Sequence, residues 1–253
     1  AYAYDANGNL TKDLNKNIVD IQYNSLNLPS RIVFKNGDNI SHVYSADGSK
    51  LRTVWVADGD TLTTDYCGNV IYENGVPVRL MTDVGYIALS DTSYHYFIKD
   101  HQGNVRVVAD EHGNAEEVND YYAFGGLMST SSRQSVQPYK YNGKELETAC
   151  GVNWYDYGAR RYDPVLGRWN GVDPLCEDYY SENPYGYCGN NPVNYVDPNG
   201  LMKVLYNPDG TYKETTHNNW FHNTFMGRQE YIDYGDRKVH LSESEFWQWQ
   251  RSG

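Results

Sequence analysis

The chain has 253 residues, a formal net charge of −12, and 40% hydrophobic residues, a group that includes 25 Tyr, with a mean hydropathy of −0.73. This length admits one or two domains, and this charge argues against nucleic acid binding by the chain as a whole. No apolar run approaches the ~20 residues that a membrane helix needs, no signal peptide opens the sequence, and Cys67, Cys150, Cys176 and Cys188 include no CxxC pair of the kind that holds zinc.

So polar and Tyr-rich a composition predicts broad, half-wet β surfaces rather than one thick aliphatic core. No metal or cofactor is expected, and the cysteines are free thiols or disulfides. The sequence opens inside a motif, AYAYDANGN, and ends abruptly on QRSG, so a piece of a longer protein is expected.

A repeat runs along the first part of the chain. Tyr4, Tyr23, Tyr44 and Tyr66 follow one another at intervals of 19, 21 and 22 residues. Each precedes a turn segment: Asp5-Ala6-Asn7-Gly8-Asn9, Asn24-Ser25-Leu26-Asn27, Ser45-Ala46-Asp47-Gly48 and Cys67-Gly68-Asn69. Short alternating segments follow, such as Arg31-Ile32-Val33-Phe34 and Thr53-Val54-Trp55-Val56. Asn-Gly and Asp-Gly tolerate the positive φ of tight hairpin turns. A period near 20 predicts hairpins stacked side by side, because such a unit cannot bury its apolar face without neighbours. The competing explanation is a generic hairpin protein with coincidental Tyr spacing; turn residues recurring in phase with Tyr favour the repeat. The pattern is kept at Tyr96 to Arg106, whereas residues 109–120 and 126–137 are polar and read as loops.

The densest signal lies between Tyr155 and Leu201, with three Asp-Pro pairs (Asp163-Pro164, Asp173-Pro174, Asp197-Pro198) and Arg160 shortly before the first of them. Taken singly, each Asp-Pro is a frequent turn opener. Together they can also be read as two carboxylates and an arginine gathered around a peptide bond. Peptide hydrolysis by carboxylates needs two of them sharing one proton, and like charges held a few Å apart push one pKa up.

These stretches resemble the RHS/YD-repeat family. YDANGNL is similar to its repeat, and FIKDHQGNVR, YYAFG, YKYNGKE and NWYDYGARRYDPVLGRW are similar to its RHS-associated core domain. The resemblance covers residues 1–201, with Ala123 where Pro is usual and Arg161 where Tyr is common. It implies a mostly β fold, in which antiparallel hairpin repeats form part of a spiralling RHS-type shell. The implied layout is YD-type repeats over 1–90, the core domain over 91–201, and a short α/β variable C-terminal region over 202–253, a toxin or the start of one. The resemblance further implies a secreted or cell-surface polymorphic toxin of interbacterial competition. Its partners would be the chain's own C-terminal effector, held inside the shell, and an immunity protein. A non-catalytic surface protein that binds a glycan or a neighbouring cell is the alternative.

In several members of that family the core cuts the chain just after PxxxxDPxGL. The segment Pro192 to Leu201 matches this motif fully, which implies cleavage between Leu201 and Met202. By the same resemblance Asp173 and Asp197 stand where the catalytic aspartates stand, and Arg160 matches the functional arginine. The motif around Asp173 departs from the family: Leu175-Cys176 replaces its x-Gly, and the interval at 177–196 is two residues longer. Asp163 is assigned a turn.

After Leu201 the likeness ends. Val204 to Lys213 reads as a hairpin, and Leu241 to Arg251 as a helix capped by Ser242 with Glu245. His217 and His222 are the tail's only cluster with catalytic potential, as a nuclease-like pair or half a metal site. Their i,i+5 spacing puts them on different helix faces, so surface or partly buried histidines are the plainer reading.

Overall fold

The computed structural model describes residues 1–133, 135–178, 182–201, 203–206, 212–215, 230–233 and 238–241. Thirteen strands form one open antiparallel sheet in which every strand pairs with its neighbours in sequence. They are β1 (Tyr2–Tyr4), β2 (Leu10–Asp13), β3 (Ile18–Tyr23), β4 (Pro29–Phe34), β5 (Asn39–Tyr44), β6 (Lys50–Ala57) and β7 (Asp60–Cys67). The sheet continues through β8 (Val70–Glu73), β9 (Val76–Thr82), β10 (Gly85–Ala88), β11 (Tyr94–Lys99), β12 (Val105–Asp110) and β13 (Ala115–Val118).

The turns explain why the strands follow one another so simply. In the turn between β1 and β2, Oδ1 of Asp5 accepts the amides of Asn7 and Asn9, at 2.9 and 2.8 Å. Gly8 takes the left-handed conformation (φ +77) that closes the turn. Asp100 and Asp110 bind the amides two and four residues on in the same way, and Asn24 does so with Leu26 and Leu28. Between these lie two-residue turns, Asp58-Gly59 and Asn74-Gly75, with positive φ at both positions. One expectation is corrected here: residues 109–120 are not all loop. Asp110 to Asn114 forms one more turn of the same kind, and β13 pairs with β12 behind it.

One side of the early strands buries Leu10, Ile18, Ile21, Ile32, Phe34 and Ile40, with Val152 and Trp154 packed onto them. A second, four-stranded sheet follows: β14 (Glu145–Glu147), β15 (Trp154–Asp156), β16 (Arg161–Asp163) and β17 (Arg168–Trp169). Its core is aromatic, with Tyr141, Tyr155, Tyr157, Tyr162, Trp169 and Tyr187 in one cluster. Three Tyr hydroxyls of this cluster reach backbone carbonyls: Tyr141 to Ala123 at 3.1 Å, Tyr155 to Gly125 at 2.9 Å and Tyr162 to Phe124 at 2.9 Å.

Buried ions join the two sheets. Nζ of Lys50, on β6, sits 2.7 Å from both Glu145 and Asp156, Arg161 pairs with Asp156, and Tyr66 donates to Glu145 at 2.7 Å. The arginine at 161 is therefore part of the seam between the sheets.

Past the second sheet, β18 (Tyr195–Val196) pairs antiparallel with β19 (Val204–Tyr206), and β19 pairs with β20 (Tyr212–Thr215). The β19–β20 pairing is the hairpin expected after residue 203. Glu230–Asp233 and Lys238–Leu241 form a further antiparallel pair. Leu241, expected to open a helix, ends a strand, and residues 242–251 lie outside the described residues. No described helix is long and apolar enough to cross a membrane, and the four cysteines are free thiols.

Candidate carboxylate site at the Asp-Pro turns

Arg160 is buried between the two Asp-Pro turns and contacts both. Its Nη2 donates to Oδ2 of Asp173 at 2.7 Å and stands 3.6 Å from Oδ2 of Asp197. Its Nε donates to the carbonyl of Gly200 at 2.5 Å and its Nη1 to that of Pro184 at 3.3 Å. The guanidinium lies over Trp169, 4.2 Å from the ring centroid, which supports the cation on the ring face. Asp173, Asp197 and Arg160 thus meet, with Leu201 buried beside them.

Each carboxylate also closes its own turn. Oδ1 of Asp197 accepts the amides of Asn199, Gly200 and Leu201 at 3.2, 2.7 and 3.2 Å. Gly200 has φ +81, and a Cβ there would lie 3.1 Å from the amide nitrogen of Arg160. The DPNGL turn accepts this glycine for its conformation and for the close approach of the arginine's backbone. Asp173 accepts the amide of Leu175 at 2.9 Å, and its carbonyl takes the amide of Cys176 at 3.0 Å. Neither Leu175 nor Cys176 has a positive φ, so the turn closes without a glycine at position 176 and Asp173 reaches Arg160.

Burial raises both carboxyls above their ordinary range, Asp197 to about 6, with Arg160 opposing and Asp173 adding to the shift. Burial in turn lowers Arg160. A cavity of about 30 Å³ opens onto Arg160, Asp173 and Asp197, enough for one water molecule. A second, of about 250 Å³, reaches Arg160 and Asp173 from the side of Asn7 and Asn9. A far larger cavity, about 1260 Å³, lies between the repeat sheet and the loops near Phe124 and Tyr139, and the two carboxylates are not on its wall. Chemistry and cavity size point to different places, and the carboxylates mark the site.

The third Asp-Pro pair is a turn. Asp163 accepts the amides of Val165 and Leu166, at 2.9 and 3.3 Å, and the indole N–H of Trp154 at 3.1 Å, with Lys16 at 3.3 Å. Cys176 and Cys188 border the small cavity, and burial pushes the Cys188 thiol well up, away from the reactive thiolate. Met202, His217 and His222 lie outside the described residues. Among the described residues no group of three or more His, Cys, Asp or Glu could hold a metal ion. Sequence reasoning missed Lys144, whose Nζ donates to the carbonyl of Pro198 at 2.5 Å; its only signal was its place in YKYNGKE.

No family model matches the chain. Salivary gland surface protein 1 of Aedes aegypti is 29% identical over 227 residues, 79% of this chain and 7% of that protein. Toxin subunit YenC1 of Yersinia entomophaga is 36% identical over 116 residues, 44% of this chain and 12% of that protein. Among solved structures, the Photorhabdus luminescens Tc holotoxin pore superposes with a TM-score of 0.66 at 21% identity, covering 81% of this chain and 11% of that one. The chain therefore spans about a tenth of the length of these proteins. At 21% identity the likeness to the holotoxin pore shows the fold alone, a mostly antiparallel β architecture, with the thirteen-strand sheet open.

Proposed function

We propose that this chain is the C-terminal part of an RHS-repeat, polymorphic-toxin-like protein that encloses a C-terminal effector and frees it by cutting itself after Leu201. In this reading residues 1–90 are YD-type repeats, 91–201 the core domain and 202–253 the effector or its start. The protein is secreted or held at the cell surface, and an immunity protein answers the effector.

The observation that carries the reading is the position of Arg160, which binds Asp173, faces Asp197 and holds the carbonyl of Gly200, one residue before the bond to be cut. Asp173, the more exposed carboxyl and the one bonded to the guanidinium, is the ionised partner and takes a proton from water. Asp197, raised by burial to about 6, holds the shared proton and delivers it. The hydroxide adds to the Leu201 carbonyl carbon, the C–N bond breaks, the electron pair goes to the Met202 nitrogen, and a proton follows it. Arg160 offsets the negative charge that grows during addition.

Intact-mass measurement and N-terminal sequencing test this. The expected products are a large piece and one of about 6 kDa beginning at Met202, the 52-residue share of the 29.0 kDa chain. A single 29.0 kDa species under native conditions sinks the proposal. The likeness to a surface protein favours a second reading, a non-catalytic glycan- or cell-binding module; binding on a glycan array by an uncut chain would support it.

A further inference from the structure

The turn before Leu201 is held on both sides. Its amides converge on Asp197, as described above. Its carbonyls are taken by three donors in succession: Lys144 Nζ on Pro198 at 2.5 Å, the Ala159 amide on Asn199 at 3.2 Å and Arg160 Nε on Gly200 at 2.5 Å. Two of these donors are neighbours in one loop. The third comes from a separate turn, Tyr141–Gly143, that ends at Lys144.

That turn is built as a platform. Asn142 accepts the hydroxyls of Tyr157 and Tyr187 at 2.7 Å each, and its amide donates to Asn104 at 2.7 Å. Gly143 takes φ +67, and the Lys144 carbonyl accepts the Lys140 amide at 2.8 Å. The lysine stem then crosses Tyr157, its Nζ 5.4 Å from the ring centroid. Holding one carbonyl would need only a neutral donor. A half-buried ammonium is a costlier choice, and this one, bound one residue past Asp197, feels the charges of Asp197 and Asp156.

Resting on the proposed self-cleavage, we propose that Lys144 is a positioning residue for the cut. It fixes the Pro198 carbonyl, so that the turn presents the bond after Leu201 to the two aspartates in one register, and it sets the charge environment of Asp197. The other charged and titratable groups around Asp197 are Arg160, Asp173 and Cys188, with Glu182 and Lys203 at the rim of the small cavity.

Burial lowers the ammonium's own pKa, and the charge of Asp197 works against that shift. By reciprocity the ammonium favours ionised Asp197. Removing it raises the pH at which Asp197 gives up its proton, and the alkaline limb of cleavage moves upward.

The test is cell-free synthesis of the chain, with the cut followed by mass at a series of pH values, in wild type, Lys144→Met, Lys144→Arg and Asp197→Asn. Lys144→Met is expected to slow the cut about ten- to a hundredfold, the scale of a lost orienting contact, and to shift the alkaline limb upward. Lys144→Arg, keeping charge and donor, is expected to restore most of the rate and the wild-type limb. A wild type that never cuts overturns the self-cleavage reading, and the Lys144 role with it. If wild type cuts, three results overturn the Lys144 role alone: Lys144→Met cutting at the wild-type rate, a slowed Lys144→Met whose pH limb stays in place, or Lys144→Arg as slow as Lys144→Met.

Discussion

The repeat sheet and the core that follows it hold themselves together differently. In the sheet, each strand pairs with its neighbours in sequence, and the turns between them are closed locally, by side chains two or four residues away or by two-residue turns of positive φ. In the core, the strands are only two or three residues long. Order there comes from side chains that reach far along the sequence: Tyr155 to Gly125, Asn142 to Asn104, Lys50 to Glu145. A sheet of the first kind can be lengthened or varied one hairpin at a time. A core of the second kind is a fixed arrangement of particular residues, and it is where two carboxylates can be held above their ordinary pKa range.

Four experiments press on this contrast. The largest effect is expected at the site itself. Asp197→Asn or Asp173→Asn should slow the cut about a thousandfold, within the range of lost acid–base catalysis, read as persistence of the intact mass. A cut that continues in either variant would leave the core as mere scaffold.

Next, Trp154→Ala should cost about 3–5 kcal/mol by urea denaturation. It removes a side chain that both packs on the sheet's aliphatic layer and donates to Asp163.

The third effect is a gain. Asp197 folds with its carboxyl at about 6, so the native state binds a proton that the unfolded chain does not hold until near pH 4. Stability therefore rises as pH falls from about 6 to about 4, and above 6 the charged group costs roughly 3 kcal/mol. In an uncut Asp173→Asn background, where the share of the shift that Asp173 adds is gone, Asp197→Asn should recover most of that at pH 7 and flatten the pH dependence. A drop in stability would mean that Asp197 is held by Arg160 as an ordinary ion pair.

The smallest effect belongs to the sheet. Ile32→Val should cost about 1 kcal/mol, since Ile32 is one of several buried aliphatics in a layer backed by ladders on both sides. If it matched the loss at Trp154, the contrast between the regions would fail.

The same contrast explains what could be read in advance. The repeats were legible because their determinants are local: Asp5, Asn7, Gly8 and Asn9 lie within five residues and carry their turn with them. The last such turn, at Asp110 to Asn114, was hidden by the polarity of its flanks. The strand after it buries Glu117, paired with Lys140, where an apolar residue would have announced it. At the site, Asp197 and Gly200 belong to one short motif, while Arg160 and Asp173 stood out as residues but took their roles only through resemblance to a family. Lys144 showed only its place in YKYNGKE, and the seam of Lys50, Glu145, Asp156 and Arg161 announced no contact. The partners of Lys144 and Lys50 stand 54 to 106 residues away, and spacing along a chain says nothing about contacts that only folding creates.

The pairing of β18 with β19 gives the proposed cut a further meaning. The bond after Leu201 lies in the segment joining these two strands, which pair at Tyr195 with Leu205 and at Val196 with Val204. Before the cut, that pairing is a closed loop within one chain. After it, the same ladder would be a contact between two molecules, held by mass action and by whatever confines them together. Two registered pairs are a weak bond on their own. The nick would thus convert a covalent leash into a low-affinity dock, and departure of the downstream piece would depend on dilution or pulling rather than on further chemistry.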